Sequence, residues 1–243
     1  MSTNGFIVYD GPSLIGDKSP IIAIVTGTNR KTKNRKTGDL LQLWIIPRNV
    51  SPVTALVNRR NSGVCGNCPL QGDSFKGRTC YVNVGQAPKQ VWNTYRRGSY
   101  PALSPAQSNH LLRGRKIRLG AYGDPAAIPI PILRRLVRYT ISQTGYSHSM
   151  LDIPCNRADA LAELVMYSAD TPEQHEQAIT RGWRSFLVVP QGRKFFQLDT
   201  VACPAMKGRQ CADCMLCCGT SRKARNIWIE AHGKQGKTFS WEV

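Results

Sequence analysis

The stretch LAELVMYSADTPEQHEQAITRGWRSFLVV, residues 161–189, decides the fold class. Its first part, Leu161–Tyr167, can be a strand or the end of a helix. Thr171 is suited to cap a helix that starts with the following proline, and Gly182 is suited to end that helix. The apolar run Trp183–Val189 predicts a strand. A helix followed by a strand in this way is typical of an α/β fold with parallel strands.

A second unit of the same kind precedes this stretch. Lys116–Gly120 predicts a strand, and the spacing of apolar residues over Pro131–Gln143 predicts a helix that Gly145 ends. In parallel α/β folds the functional side chains collect in the loops that follow the strands. Asp124 and Asp170 fall in such loops and are therefore candidate site residues, although an acid also serves at the start of a helix.

Both ends of the chain add β-structure. Branched and apolar residues predict further strands at 5–9, 20–27, 40–46 and 226–230. Those at 20–27 and 40–46 flank a turn-rich loop and form a β-hairpin. We expect three segments: a β-rich basic segment over 1–60, an α/β core over 61–200 and a Cys-rich end over 201–243. No run approaches the roughly 18 apolar residues of a membrane helix, so we expect no membrane association.

The chain is strongly basic. Its 243 residues include 33 Lys and Arg against 15 Asp and Glu, which gives a net charge of +18. The excess lies mainly in residues 1–123, which hold 18 of the cations and 4 of the acids. Since lysine and arginine neutralise phosphates, nucleic acid is the expected partner. An ordinary metabolic enzyme is rarely this basic.

Two short segments are the expected contacts with nucleic acid. The loop over 30–36 holds five cations beside turn-forming residues and is either a phosphate contact or a solvated turn. The segment over 86–98 predicts a helix that either stacks a base on its aromatic residues or buries them. The cations that we assign to nucleic-acid binding are Arg30, Lys31, Lys33, Arg35, Lys36, Arg96 and Arg97.

The first group of cysteines is Cys65, Cys68 and Cys80, in the spacing C-x2-C-x11-C. Residues 1–9 lack the features of a secretory signal, so we expect a reducing cytoplasm, where clustered cysteines favour metal over disulfides. Two thiolates at C-x-x-C spacing can bind one metal from a tight loop, and a third can reach it from a second segment. The remaining ligand position is open to Cys155, His110, His148 or a substrate.

The second group of cysteines is Cys203, Cys211, Cys214 and Cys217, in the spacing C-x7-C-x2-C-x2-C, with Cys218 as a spare thiol. Four thiolates complete a tetrahedral site without further ligands. Either Zn²⁺ or a [4Fe–4S] cluster satisfies each of the two groups, and spacing alone does not choose between them.

Catalytic side chains are less clearly indicated. Tyr146 and His148 can supply a nucleophile or a base, although a lone histidine near a strand end is more often structural. Asp124 and Asp170 are the acidic candidates. The sequence holds no phosphate-binding Gly-Lys-Ser/Thr loop and no H-E-x-x-H motif.

Several strings resemble a family of cysteine-rich proteins of bacteriophages and plasmids that has no assigned activity. The strings with the clearest resemblance are NRKTGD at 34–39, CGNCP at 65–69, RTCYVNVG at 78–85, TGYSH at 144–148 and the cysteines of 203–217. The resemblance implies a protein of a mobile element.

The layout is also distantly similar to the radical S-adenosylmethionine enzymes, whose partial (β/α) barrel holds three cluster cysteines after the first strand. Cys65, Cys68 and Cys80 resemble that cluster loop, although the family spacing is C-x3-C-x2-C. Gly123–Pro125 looks like the turn after the second strand, and Ser168 with Asp170 looks like a later strand end. This similarity implies a partial barrel-like parallel sheet, a [4Fe–4S] cluster, S-adenosylmethionine as a second cofactor, and an auxiliary cluster at Cys203–Cys217.

Three functions therefore stay open. The first is a mobile-element protein with two Cys-ligated metal or Fe–S sites that binds nucleic acid through its basic face. The second is an Fe–S enzyme of the radical S-adenosylmethionine type. The third is a replication or nicking protein that uses Tyr146 as its nucleophile.

Overall fold

The computed structural model describes residues 4–30, 34–72, 77–232 and 236–241, and these residues form nine strands in one mixed sheet. The strands are β1 (Gly5–Pro12), β2 (Pro20–Thr26), β3 (Leu41–Pro47), β4 (Lys116–Tyr122), β5 (Ser142–Ser147), β6 (Met166–Ala169), β7 (Ser185–Val189), β8 (Thr200–Ala202) and β9 (Asn226–Glu230). Their order across the sheet is β1-β2-β3-β4-β5-β6-β7-β9-β8. The sheet does not close, because β1 and β8 form its two edges over the described chain.

The sheet has an antiparallel part and a parallel part. β1, β2 and β3 pair antiparallel, which confirms the expected N-terminal hairpin. From β3 onward every pair is parallel, including β7 with β9 and β8 with β9. All three segments expected from the sequence contribute strands to this one sheet.

Eight α-helices connect or flank these strands over the described residues. They are α1 (Pro52–Val57), α2 (Ser62–Cys65), α3 (Ala87–Arg96), α4 (Pro105–Leu112), α5 (Ile130–Tyr139), α6 (Cys155–Ala162), α7 (Pro172–Thr180) and α8 (Cys211–Cys214). Strands β3 to β7 follow chain order, and parallel crossovers are right-handed as a rule. The helices α5, α6 and α7, which connect β4 to β7, therefore cover one face of the sheet and leave the other face for a cavity.

Alternation along the strands separates these two faces. In β4, Ile117 and Leu119 are fully buried in the main hydrophobic core, whereas Arg118, Gly120 and Tyr122 line the cavity. The strand β2, which lies between β1 and β3, differs, because its residues 21–25 are all inaccessible to solvent. A strand covered on both faces has a continuous apolar sequence, which is why this run was readily predicted.

The helix expected after β4 ends earlier than predicted. α5 stops at Tyr139, and Gln143 and Gly145 belong to β5. The amide of Ile141 donates to the carbonyl of Arg115 at 2.9 Å, which draws this segment toward the sheet. Gly145 is therefore a strand residue and does not end the helix.

Other boundaries also differ in detail. The ambiguous segment Leu161–Tyr167 divides into the end of α6 and the start of β6. The cap of α7 is confirmed, because the side chain of Thr171 accepts from the amide of Gln174 at 3.3 Å. α4 was not predicted, although Ser104 and Gln107 form a capping box at its start. No helix of the described chain is long and apolar enough to cross a membrane.

Candidate functional site

A cavity of about 420 Å³ lies against the face of the sheet opposite α5, α6 and α7. Its volume is within the range of small-molecule sites in proteins. Alternate residues of the parallel strands line it, among them Arg118, Tyr122, Tyr146, His148, Ser168, Phe186 and Ile229. Loops from both ends of the chain complete the wall, so the sheet brings together residues that lie up to 200 positions apart.

An irregularity in β4 shapes the floor of this cavity. Gln42 of β3 pairs with Arg118, but Trp44, two residues further along, pairs with Tyr122. The extra residues of β4 include Gly120, whose φ of +77° is the left-handed conformation that suits glycine. Such bulges bend a strand and redirect its side chains, and they often lie beside functional sites.

The three cysteines of the first group all line the cavity. Cys65 ends α2, and its sulfur accepts a hydrogen bond from Nδ2 of Asn61 at 3.0 Å. Burial raises the pKa of Cys65 well above its usual value, and the nearby charges of Cys68, Cys80 and Asp124 raise it further. The three thiols therefore border one cavity and lie close enough for their charges to influence one another.

Local hydrogen bonds hold the loop that carries these cysteines. The amide of Cys80 donates to the carbonyl of Leu70 at 2.8 Å, and Arg78 Nη1 donates to the carbonyl of Cys80 at 3.1 Å. Gly66 has a φ of +55°, and a Cβ at this position would lie 2.5 Å from Oγ of Ser149. Glycine thus lets the C-x-x-C turn pack directly against the loop after β5.

His148 joins the first cysteine group. It lines the same cavity, and its Nδ1 lies 3.0 Å from Oδ2 of Asp170. Burial alone would lower the pKa of His148, but the charge of Cys68, the charge of Asp170 and hydrogen bonds to both raise it well above 6.5. Of the proposed extra ligands, Cys155 and His110 are exposed and do not line this cavity.

Asp124 positions the loops around His148. One of its oxygens, Oδ2, accepts from the amide of His148 at 2.9 Å, the amide of Ser149 at 3.1 Å and the hydroxyl of Ser149 at 3.0 Å. The other, Oδ1, accepts from the amide of Ala126 at 2.8 Å. Both oxygens are engaged, so the geometry makes this carboxylate a structural link between the loops after β4 and β5.

Tyr146 lies deeper in the same cavity. Its ring packs on Phe186 with 4.3 Å between centroids. Burial raises the pKa of Tyr146 well above 10.0, and the charges of Cys217 and Cys211 add to the effect. A phenol in this environment forms its nucleophilic anion less readily than a free tyrosine does.

The four cysteines of the second group line a smaller pocket of about 20 Å³, next to Tyr146. Burial raises the pKa of Cys217 to about 12, and the charges of the other three cysteines contribute in the same direction. The pKa values of Cys203 and Cys211 are also raised by burial. The structure thus brings the four sulfurs around one small space.

The segment carrying the second group closes the amino-terminal end of the parallel strands. Nζ of Lys116, the first residue of β4, donates to the carbonyl of Ala212 at 2.6 Å. The amide of Gly145 donates to the carbonyl of Cys217 at 2.9 Å. The first group, by contrast, lies beside Tyr122 and His148, at the carboxyl ends of β4 and β5. The two groups therefore occupy opposite ends of the inner face.

The basic loop packs on this second cysteine segment. The amide of Cys211 donates to the carbonyl of Lys36 at 3.0 Å, and Nε2 of Gln210 donates to the carbonyl of Arg35 at 3.2 Å. The backbone at Arg35 and Lys36 is thus fixed, while the side chains of both residues are exposed. Arg30 is exposed as well, and Lys31 and Lys33 lie outside the described residues.

The aromatic residues of α3 pack inward. Trp92 and Tyr95 lie against the main core, which supports the expectation that this helix buries its aromatic face. Arg96 and Arg97 are exposed, with the Arg96 guanidinium 5.7 Å from the centroid of Trp92. The helix therefore exposes its cations and packs its aromatic rings inward.

The donor chemistry of both groups suits a soft metal, because thiols with one imidazole are typical ligands of zinc and of iron–sulfur clusters. Among the described residues, no three Cys, His, Asp or Glu side chains form a group that could hold a metal ion as placed. A bound metal would have to draw the thiols of each group closer together.

The chain was compared with family models, with curated proteins and with solved structures, and none of them matches. The family resemblances therefore stay predictions.

Sequence reasoning missed several residues of the cavity. Asn61 joins the cysteine loop to the sheet, because it donates to Cys65 and accepts from the hydroxyl of Tyr122 at 3.1 Å. Tyr81 and His232 stack on each other with 5.1 Å between their rings. The position of Tyr81, next to Cys80, was the one available signal, since His232 comes from the far end of the chain.

Proposed function

We propose that this chain is a nucleic-acid-binding protein with two cysteine-ligated metal centres, of which the centre at Cys65, Cys68 and Cys80 is the reactive one. The observation that carries the proposal is that these three thiols and His148 line one cavity at the carboxyl ends of parallel strands. That end of a parallel sheet is where functional loops converge.

His148 is arranged as a metal ligand would be. Metal-binding histidines commonly give their second ring nitrogen to a carboxylate, which fixes the ring orientation. Asp170 occupies this position, 3.0 Å from Nδ1. Asp170 is itself buried, and its Oδ1 has no hydrogen-bond partner over the described chain. The first centre would thus use three sulfurs and either His148 or a ligand in the cavity.

The second group has the character of a structural centre. Its four sulfurs need no further ligand. Its segment is fixed to β4 by the side chain of Lys116, and to β5 and the carbonyl of Lys36 by backbone hydrogen bonds. Structural metal sites contribute directly to folding stability. A metal held here would fasten the C-terminal segment and the basic loop to the sheet.

The nucleic-acid assignment rests on charge and on its placement. The amide of Arg30 donates to Oδ1 of Asn4. The residue after Asn4 is Gly5, where an added Cβ would lie 3.0 Å from Cε1 of Tyr100. Tyr100 follows α3 closely, so Arg30 and Arg97 lie at the same amino-terminal end of the sheet. Arg115 also reaches this end, where it donates to the carbonyl of Gly27 at 3.0 Å. A shared basic surface here would bind phosphates.

A salt-dependent binding assay tests this surface. We expect the quadruple charge reversal of Lys31, Lys33, Arg35 and Lys36 to weaken binding of labelled DNA equally across sequences. The slope of log affinity against log salt should fall by about 0.9 for each lost phosphate contact with duplex DNA. The double substitution Arg134→Glu and Arg138→Glu on α5 is the control. Unchanged affinity in the quadruple variant, or no binding by the wild type at low salt, would overturn the assignment.

Stability measurements separate the roles of the two cysteine groups. Cys214→Ser should lower the melting temperature strongly, because the second metal would hold the fold together. Cys68→Ser should remove metal with a smaller loss of stability, because its group has three sulfurs and leaves one ligand position to His148 or a ligand. Cys155→Ser is the matched control, since Cys155 is exposed and outside both groups. A Cys214→Ser protein with the wild-type metal content and melting temperature would contradict the structural role.

A second candidate function is an Fe–S enzyme of the radical S-adenosylmethionine type on a partial barrel. The cavity favours it, because three cysteine ligands leave one metal position free beside a space of about 420 Å³. Such a protein purified without oxygen would be brown, contain acid-labile sulfide and bind S-adenosylmethionine in a calorimeter. A colourless protein with stoichiometric zinc would exclude this candidate and leave the first proposal standing.

A further inference from the structure

Arg118 is a half-buried cation in the middle of the cavity wall. Its Nη2 donates to the hydroxyl of Tyr81 at 2.5 Å. The titratable groups close to it include Tyr81, Tyr146, Cys211 and His232, and no carboxylate of the described chain forms an ion pair with it. The guanidinium of Arg118 therefore has no acidic partner among the residues that the structure describes.

The rest of the wall adds to this positive charge. Lys36 and Arg78 also line the cavity, and the guanidinium of Arg78 is engaged by carbonyls of its own loop. The acid in the wall is Asp124, and its oxygens are occupied by the loops after β4 and β5. An unpaired cation removed from water is costly, so such a site favours an incoming anion.

The surface next to Arg118 is flat and apolar. The ring of Tyr81 stacks on His232 at an interplanar angle of 24°. Phe186, Val188 and Ile229 extend the apolar wall from β7 and β9. A guanidinium beside an aromatic and aliphatic wall can bind an acid group and shelter the body that carries it.

We propose that Arg118 binds the carboxylate or phosphate of a small ligand whose planar or apolar body lies between Tyr81 and Phe186. The planar fork of arginine matches both oxyanions, so this chemistry alone does not distinguish them. The subsite needs no metal and no nucleic acid, and it therefore stands or falls separately from the proposed function.

Calorimetry with three simple probes on the full-length protein tests the subsite. Phenyl phosphate and benzoate carry the two oxyanions on a planar ring, and benzyl alcohol is their neutral counterpart. We expect at least one of the two anions to bind and benzyl alcohol not to bind. The stronger anion identifies the acid group of the natural ligand class. Absence of binding by both anions, or equal binding of benzyl alcohol, would overturn the proposal.

Three variants locate the binding. Arg118→Gln should weaken the anion by about tenfold or more, as expected for loss of a charged hydrogen bond. Arg135→Gln removes the same charge from α5, outside the cavity, and should leave the affinity unchanged. If both variants weaken binding equally, the anion responds to net charge and the proposal is wrong. Unaltered affinity in Arg118→Gln would be equally decisive against it.

A milder substitution provides a second test in case Arg118→Gln does not fold. Tyr81 is 45% exposed, so Tyr81→Phe should keep the fold while it releases the guanidinium from its hydroxyl partner. We expect anion binding to weaken severalfold in this variant at an unchanged melting temperature. Wild-type affinity for the anion in a folded Tyr81→Phe protein would contradict the proposal, because the hydrogen bond between Tyr81 and Arg118 would then have no effect on binding.

Discussion

Replacing Asp124 by asparagine should destabilise the protein by about 3–6 kcal/mol. The carboxylate accepts four hydrogen bonds, three on Oδ2 from His148 and Ser149 and one on Oδ1 from Ala126. An asparagine whose oxygen takes the place of Oδ2 turns its NH₂ toward the amide of Ala126. Two donors then face each other, and the loss of this hydrogen bond costs about 1.5–3 kcal/mol. The other three bonds lose their charge assistance, at about 0.5–1 kcal/mol each. This is a large part of the stability of a typical domain.

Urea unfolding followed by circular dichroism at pH 7 measures this loss. The control is Asp159→Asn, because Asp159 accepts one hydrogen bond, from Nε1 of Trp183 at 2.8 Å, which the asparagine oxygen can keep. We expect the control to lose less than about 1 kcal/mol. If the free energy of unfolding of Asp124→Asn lies within about 0.5 kcal/mol of the wild-type value, the carboxylate does not link the two loops. Asp124 would then again be a candidate catalytic residue.

Three further changes have defined outcomes. Arg184→Met should cost about 3–5 kcal/mol in urea unfolding, because Arg184 donates to three carbonyls around the second cysteine segment, those of residues 216, 219 and 225. Gly123→Ala should cost about 1–3 kcal/mol by the same assay, since φ is +84° and a Cβ would lie 2.4 Å from the carbonyl oxygen of Ile45. Burial lowers the pKa of His175 from 6.5 to about 4, so the unfolded chain binds the proton first and stability falls from pH 6.5 to 4. In His175→Gln, the free energy of unfolding should decrease by up to about 2 kcal/mol less over this pH range than in the wild type. Parallel stability–pH curves for the two proteins would contradict the assignment.

The sequence predicts most of the strands because their burial has a regular signature. The run at 21–25 is apolar throughout since both faces of β2 are covered. Thr171 and the following proline define the start of α7 by local backbone chemistry, which does not depend on the rest of the fold. The boundary between α5 and β5 was missed because Ile141 and Gln143 continue the helical spacing, while pairing with β4 draws them into the sheet.

The site was predictable only in part, for a physical reason. Cysteine spacing identifies each group, because both groups form within short segments. The neighbourhood of Arg118 depends on strand order, which brings Tyr81, Cys211 and His232 to one wall from distant parts of the chain. His148 was one of several possible ligands, and strand order alone brings Asp170 beside it. Strand order that brings distant parts of the chain together in this way leaves no local signal in the sequence.

Metal and sulfide analysis of protein purified without oxygen tests the central claim most directly. The wild type should contain two metal centres per chain, and the triple variant Cys65→Ser, Cys68→Ser, Cys80→Ser should retain one. Cys155→Ser should keep both. A wild-type protein free of metal after anaerobic purification, or a triple variant with the full wild-type content, would contradict the account.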